Sequence, residues 1–330
     1  MSSVADARDT DERAHDMMNI LMVSNLRSGL GDPGTYDFVR ELGESGCEVT
    51  LRFMNAGADL GHLLRDAASY DRVVAVGGDG TVSAIAYELR GTGVPVVVYP
   101  AGTANLLARN LRVPVDPLEL ARLTLGGKRV TIDVGEIGIA TGDGARRVGF
   151  VIMAGAGFDA TVMERALELK PVIGEGAYII GAIQSLQPTV AKIDLELDGR
   201  HVRTEGIAVI LVNLARIQFD LSVTHGSDAQ DGLLEVVVVK TRSVAGLIPA
   251  VWAALLDRLG NHPARPALEV HSAKEIRVSA TPALPLQYDG ELLDLTTPFS
   301  ARVLPKRATF VVPEDSELPA DELGAEKPAE

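Results

Sequence analysis

Gly77-Gly78-Asp79-Gly80-Thr81 closes the apolar run Val73-Val74-Ala75-Val76, and the arrangement recurs when Val96-Val97-Val98-Tyr99 leads into Pro100-Ala101-Gly102-Thr103-Ala104-Asn105. A short, unbroken apolar run bounded by glycine reads as a strand buried on both faces. Two such strands, each followed by a glycine loop and a helical pattern, constrain this part of the chain to a parallel α/β sheet with helices on both faces. Ligands bind such sheets at the carboxyl ends of the strands, where the strand order reverses, and both loops lie at that end. Three glycines around one carboxylate let backbone N–H groups close on a phosphate, with an acid at hand for a divalent metal. The helix that follows favours anions through its free N–H groups and dipole. The competing reading makes Asp79 a turn acid that caps the helix starting near Thr81.

Two other phosphate motifs fail on spacing. Ser83 stands where a dinucleotide fingerprint has its third small residue, but no ribose-binding acid follows, and the Gly-Lys-Ser/Thr of a P-loop is absent. Gly155-Ala156-Gly157-Phe158-Asp159-Ala160 fits a relaxed Gly-x-Gly-x-x-Ala pattern, yet no βα unit follows it.

Periodicity predicts strands at Ile20–Ser24, Glu48–Phe53, Arg72–Val76 and Val94–Tyr99. Helices are expected at Tyr36–Leu42, Leu60–Ala68, Val82–Leu89, Ala104–Leu111 and Pro117–Leu125. Beyond Lys128 the character changes to β-rich runs at Val130–Ile139, Val148–Ala154, Ile193–Leu197, Val202–Asn213, Leu234–Lys240 and Glu275–Ser279. Asp198-Gly199 is the strongest hairpin signal among them. The expected organisation is an α/β nucleotide-binding unit over 19–130 and a β-sandwich substrate unit over 131–298. Two strand-like segments, Phe299–Leu304 and Arg307–Val312, close the pattern and are candidates to return to the first unit, which periodicity alone does not show. Helical patterns at Ala160–Glu168 and Val244–Leu259 interrupt the β-rich part; the second is apolar enough to be core or to lie at an interface, and its lack of lysines favours core. Pro171–Gln187, with three glycines and Tyr178-Ile179-Ile180, is a candidate lining for an apolar cleft.

Composition narrows the partners. The net charge of −14 and an aromatic content of 4% argue against a nucleic-acid partner. The ends carry much of that charge, with seven acids against Lys327 over 314–330 and five against Arg8 and Arg13 over 1–16. Segments 1–18 and 313–330 therefore read as disordered acidic tails. A single cysteine, Cys47, excludes an internal disulfide and suits a reducing cytosol. No signal-peptide pattern or membrane-length apolar run is present, so a cytoplasmic protein is expected. The six histidines lack metal-ligand spacing.

Gly77–Thr81, Pro100–Asn105, Gly155–Asp159, Asp231-Gly232-Leu233 and Asp289-Gly290-Glu291 fall in the order seen in the diacylglycerol kinase catalytic-domain family. That family includes bacterial and sphingosine-kinase-like lipid kinases and shares a superfamily with NAD kinases. The resemblance spans about residues 19–312. It implies a nucleotide held between an α/β domain and a β-sandwich, and ATP- and Mg²⁺-dependent transfer to a hydroxyl of diacylglycerol or a related lipid. It also implies Asp289 as general base, Asp79 and Glu291 as holders of the ATP-linked Mg²⁺, and Gly102, Thr103 and Asn105 as nucleotide contacts. Asn25-Leu26-Arg27-Ser28-Gly29 stands at the family's early Asn-Pro-x-Ser-Gly loop, so Asn25, Ser28 and Gly29 join the glycine loops as ATP-binding residues. Asp228, Asp231 and the Leu233 carbonyl resemble a structural Mg²⁺ site of some bacterial members.

The residues support these roles chemically. A lipid hydroxyl becomes a competent nucleophile only when a base can take its proton, and phosphoryl transfer depends on positioning and charge neutralisation. The plain alternative for Asp289-Gly290-Glu291 is a β-turn between Leu286-Gln287-Tyr288 and Leu292-Leu293. Ser83 and Ala84 replace the family's Asn-Glu after Gly-Gly-Asp-Gly-Thr-x, and Gln218-Phe219 stands near where many members carry paired glycines. Partners expected on this reading are a lipid acceptor, transient contact with the inner membrane surface and, compatibly, a homodimer. The alternatives are a kinase of a soluble acceptor, as in NAD kinases, or a nucleotide- or lipid-binding regulator without turnover.

Overall fold

The computed structural model describes residues 17–28, 33–55, 57–141, 144–157, 188–214, 216–217, 221–222, 228–241, 267–289 and 291–318. Its first unit alternates strand and helix: β1 (Asn19–Asn25), α1 (Gly34–Glu44), β2 (Glu48–Met54), α2 (Leu60–Leu63), β3 (Arg72–Gly77), α3 (Asp79–Glu88), β4 (Val96–Pro100), α4 (Leu106–Asn110) and α5 (Pro117–Gly126). The four strands are parallel in the order β2-β1-β3-β4. The order reverses between β1 and β3, so the crevice expected of such sheets opens where these two strands end. Valine runs serve both faces of β3 and β4, which are buried throughout apart from their end residues. Phe38 of α1 packs edge-on against Tyr99 of β4, with ring centroids 5.3 Å apart. Asp116 caps α5 by accepting the N–H groups of Leu118 and Glu119, and Pro117 at the first helical position needs no N–H partner.

The remaining elements are strands: β5 (Lys128–Thr141), β6 (Gly144–Phe150), β7 (Met153–Gly157), β8 (Ala191–Leu197), β9 (Arg200–Gly206), β10 (Ala208–Val212), β11 (Arg216–Ile217), β12 (Leu221–Ser222), β13 (Leu234–Val239), β14 (Leu268–Ala273), β15 (Glu275–Thr281), β16 (Pro285–Tyr288), β17 (Glu291–Thr296) and β18 (Phe299–Val312). β18 runs parallel to β4 at Phe310↔Val96 and antiparallel to β5 and β15, so the first sheet continues into β8 and β9. A second, antiparallel sheet in the order β14-β13-β10-β7-β16-β17 faces it. Between them lies a core that includes Phe150, Leu195, Leu211, Val236 and Leu286. The architecture is an α/β unit joined to a β-sandwich, as the sequence predicts. Asp198-Gly199 forms the β8–β9 turn with both residues left-handed, φ 49° and 82°, as a two-residue hairpin of this type requires.

Several elements differ from expectation for identifiable reasons. The helix predicted over Leu60–Ala68 ends at Leu63, where the Arg52 guanidinium takes the Leu63 carbonyl and pairs with the Asp66 carboxylate. The strand predicted over Val148–Ala154 is two strands, broken at Val151-Ile152. The run Val202–Asn213 likewise breaks at Ile207, whose N–H donates to Val239. The two closing strands are one, with a register shift between Leu304 and Ala308 and Lys306 at φ 48°. Past β18 the chain stays attached as far as Leu318, which packs on the α/β core, while Lys128 Nζ donates to the Ser316 carbonyl. The expected helices at Ala160–Glu168 and Val244–Leu259, and the segment Pro171–Gln187, lie outside the described residues.

Glu136 joins the two units. Buried on β5, it accepts from the Tyr87 hydroxyl of α3 and from Arg302 Nε of β18 at 2.8 Å. Gly149 of β6 leaves room for the Tyr87 ring; a Cβ there would come within 2.0 Å of it. Burial raises the Glu136 carboxyl, but the bonds from Tyr87 and Arg302 and the Arg302 charge together hold it below its ordinary value. A lowered carboxyl stabilises the fold above the unfolded pKa, about 4.3, and that stability is lost as pH falls through the lower folded value. Glu136→Gln should therefore cost roughly 1–3 kcal/mol at pH 7. The gap to the parent should narrow as denaturation is repeated toward pH 3; a gap constant with pH would contradict this account.

Candidate active site

β3 ends at Gly77 and α3 begins at Asp79, with Gly78 extended between them as the N-cap. Close approach, rather than a left-handed backbone, requires the glycines here. A Cβ on Gly77 would stand 2.6 Å from the Thr81 Cβ, and one on Gly102 would stand 2.5 Å from the Gly78 Cα. The two loops thus touch backbone to backbone. Asn105, left-handed at φ 49°, holds the second loop by accepting from the Gly102 N–H and donating to its carbonyl, each at 2.9 Å.

Asp79 ties the loops together more firmly than a turn acid would. Its carboxylate accepts the N–H groups of Leu106 at 3.0 Å and Leu107 at 2.8 Å, capping α4 from outside that helix. Burial raises the Asp79 carboxyl, while these two bonds and the nearby Arg109 charge oppose the shift. One N–H per oxygen leaves each with a further lone pair, so the group fits a hard cation directly or through water. The helix starts at Asp79, two residues before the expected start near Thr81. The third loop joins here too: Asn25, at the end of β1, donates from Nδ2 to Thr81 Oγ1 at 2.7 Å. Asn25, Gly77, Gly78, Asp79, Gly80, Thr81, Gly102 and Asn105 are therefore gathered at the ends of β1, β3 and β4. Ser28 is half-buried beside Asn25 and Thr103 is exposed; Gly29 lies outside the described residues.

Asp289 sits in the two-residue turn between β16 and β17 at φ 41°. Its carboxylate accepts three successive N–H groups, from Val151 at 2.8 Å, Ile152 at 3.0 Å and Met153 at 2.9 Å. These bonds explain why the predicted Val148–Ala154 strand breaks: the N–H groups turn to a carboxylate instead of a neighbouring strand. Asp289 is 6% exposed. Burial pushes its carboxyl up to about 6, against the pull of Ser83 and the three N–H groups toward ionisation. Ser83 lies on α3, one turn past Asp79 and on the same face. Asp289-Gly290-Glu291 is thus a hairpin turn whose acid folds back onto the Val151–Met153 backbone. Glu291 opens β17, but its side chain lies outside the described residues.

Asp228 and Asp231 sit at the β5–β18 register shift. Each accepts a local N–H, from Gln230 at 2.9 Å and Leu233 at 2.8 Å. Among the described residues no three His, Cys, Asp or Glu side chains gather as a metal-holding group. Sequence reasoning missed two supporting residues. Asp133, fully buried, accepts the N–H groups of Gly232 and Lys306, both at 2.7 Å. Asn213 donates from Nδ2 to the carbonyls of Asp133 at 2.9 Å and Val151 at 2.7 Å. The available signal was a polar residue within or ending an apolar strand, where a polar group needs a partner.

Residues 19–137 match the family described as diacylglycerol kinase catalytic domain, and residues 152–312 match the YegS C-terminal NAD kinase beta sandwich-like domain. The chain is 30% identical to the "Probable lipid kinase YegS-like" protein of Pseudomonas fluorescens over 83% of its own length and 89% of the relative's. It is 28% identical to the diacylglycerol kinase of Mycobacterium tuberculosis, covering 88% of this chain and 93% of that one. It spans only 54% of one further relative, an uncharacterized protein of Synechocystis. A solved diacylglycerol kinase structure from Bacillus anthracis superposes with a TM-score of 0.64 at 19% identity, covering 91% of this chain and 98% of that one. The chain belongs to the diacylglycerol kinase catalytic-domain family, a family of ATP-dependent lipid kinases.

Proposed function

We propose that this protein transfers the γ-phosphoryl group of ATP to a hydroxyl of diacylglycerol or a related lipid. The observation that carries this reading is the joining of the glycine loops at α3: Asp79 starts that helix and caps α4, while Asp289 in the β16–β17 turn is fixed by the N–H groups of Val151, Ile152 and Met153. On this reading residues 19–130, with the returning strand 299–312, hold the nucleotide, and residues 131–298 present the lipid. The loops containing Asn25, Ser28, Gly29, Gly77–Thr81, Gly102, Thr103 and Asn105 receive the nucleotide, with N–H groups at the α3 N-terminus favouring its phosphates.

Asp79 and Glu291 would hold Mg²⁺, which when bound neutralises charge on the β- and γ-phosphates. Asp289 takes the proton of the acceptor hydroxyl; a carboxyl pushed up to about 6 is mostly ionised at pH 7 and still basic enough to accept it. Its three backbone bonds use three of the roughly four lone-pair sites of a carboxylate, leaving one for the acceptor. Asp228, Asp231 and the Leu233 carbonyl are assigned to a structural Mg²⁺ that would brace the β5–β18 shift. No helix among the described residues is long and apolar enough to cross a membrane, so the lipid would be met at a membrane surface.

Two variants test the assignment. Asp289→Asn should lower transfer to diacylglycerol in mixed micelles by roughly 10²–10⁴-fold. ATP should still raise its melting temperature; loss of that shift would move Asp289 out of the base role. Gly102→Ala forces a Cβ against Gly78 and Asn105 Oδ1, so the loops must part. Its KM for ATP should rise about tenfold or more, equivalent to ~1.4 kcal/mol. An unchanged KM would detach these loops from the nucleotide. Product identification by mass after labelled-ATP turnover with a lipid panel decides the acceptor; transfer only to soluble alcohols would overturn the lipid reading.

A further inference from the structure

The long mixed sheet runs from β2 to β9, and these two edge strands are built differently. β9 carries Arg200, His201, Arg203 and Glu205, with the Arg203 side chain 85% exposed. Charges of this kind keep an edge from pairing with another chain. β2 has no such guard. Glu48 donates its N–H to the Met18 carbonyl, and the Met54 carbonyl accepts from Leu26, so both ends of β2 face β1. Alternate residues of a strand turn their backbone groups to opposite sides. Thr50 and Arg52 therefore also face β1, while Val49, Leu51 and Phe53 turn their N–H and C=O groups outward. No described strand pairs with that outer row. The same three residues carry their side chains on one face of the sheet, where Leu51 is 47% and Phe53 51% exposed.

We propose that β2 is the interface between two copies of this chain, paired antiparallel about a two-fold axis through Leu51. The outward residues are spaced symmetrically about that position. Antiparallel pairing sets Leu51 opposite Leu51 of the partner subunit and Val49 opposite Phe53 of the partner subunit, each pair exchanging both backbone bonds. An apolar residue thus meets an apolar one at every outward position. On the other face Thr50 stands opposite Arg52 of the partner subunit, and Glu48 lies diagonal to it, within reach of its opposite charge. Arg52 is already paired with Asp66 of its own subunit, so no strand residue meets an uncompensated like charge. Other occupants fit the edge less well. Residues 1–16, which lead toward the neighbouring β1, hold five acids and no alternating apolar run to cover Leu51 and Phe53. An anionic membrane surface would repel a chain of net charge −14 and would leave the outward backbone groups without partners.

Sedimentation equilibrium of the full chain tests the pairing. Strands of seven residues bury a modest area, so dissociation on the order of micromolar is expected, with the dimer dominant at about 100 μM. Leu51→Lys sets two ammonium groups opposite each other on the axis and should weaken association by about tenfold or more. Circular dichroism and a cooperative melt check that this variant folds. Leu51→Cys keeps the strip largely apolar and reads the register, whether or not the lysine variant folds. Under mild oxidation it should form a disulfide-linked dimer, since residues facing each other in a bonded pair lie about 5.5 Å apart. Glu48→Cys, which faces Met54 of the partner subunit, should not. A parent that stays monomeric, a dimer that Leu51→Lys leaves equally tight, or cross-linking of Glu48→Cys as readily as Leu51→Cys would each overturn the proposal. So would dimerisation that appears only after residues 1–16 are deleted, which would make that tail the occupant. Binding of a monomeric parent to phosphatidylglycerol vesicles, abolished by Leu51→Lys, would overturn it in favour of a membrane.

Discussion

The contact between the loops after β3 and β4 sets the geometry of everything around it. Gly102 approaches Gly78 so closely that a Cβ on Gly102 would stand 2.5 Å from the Gly78 Cα, and Asp79 bonds across that contact to the first N–H groups of α4. One carboxylate therefore starts its own helix and caps a second, fixing the angle between them. Asn25 adds the end of β1 through Thr81, so three strand ends are held at the point where the sheet order reverses. The cost of burying Asp79 is offset by the N–H groups it satisfies, which otherwise would be orphaned at the start of α4.

A second set of polar contacts carries that geometry into the sandwich. The carbonyl of Asp133 and that of Val151 share the Asn213 amide, and the Val151 N–H goes on to Asp289. Asp133 meanwhile secures the Lys306 turn where β18 shifts register. Glu136, three residues along β5, binds Tyr87 of α3 and Arg302 of β18. In a dry interior each of these polar groups is expensive alone and favourable when fully partnered, so they move as a unit or not at all. Asp289 is thus placed by main-chain geometry rather than by a mobile loop.

The chain discloses the α/β unit more completely than the sandwich. Valine runs ending in glycine mark β3 and β4 because burial on both faces leaves a local signature. The Asp-Gly turn marks β8–β9 for the same reason: the backbone conformation itself demands those residues. Where tertiary partners decide, periodicity misleads. Nothing in Val148–Ala154 announces that Asp289 draws its N–H groups aside, and nothing in Leu60–Ala68 announces that Arg52 ends the helix at Leu63. The pattern Phe299–Val312 reads as two strands because Pro305-Lys306 breaks it locally, although both halves pair with β5. Of the candidate site, residue identity is legible in the glycine loops and the late acid. The capping of α4 by Asp79 and the capture of the Val151–Met153 N–H groups by Asp289 are relations across sequence, and a linear reading holds no trace of them.

The strand β18 also imposes an order of assembly. β4 carries one flank of the parallel sheet, yet its neighbour there, around Phe310, is synthesised more than two hundred residues after it. Until then Val96–Pro100 presents an uncovered row of backbone donors and acceptors, a template for unwanted pairing during synthesis. The nascent amino-terminal half must wait for the carboxyl-terminal half before its sheet is closed, so the two units mature together, however separate their chemistry.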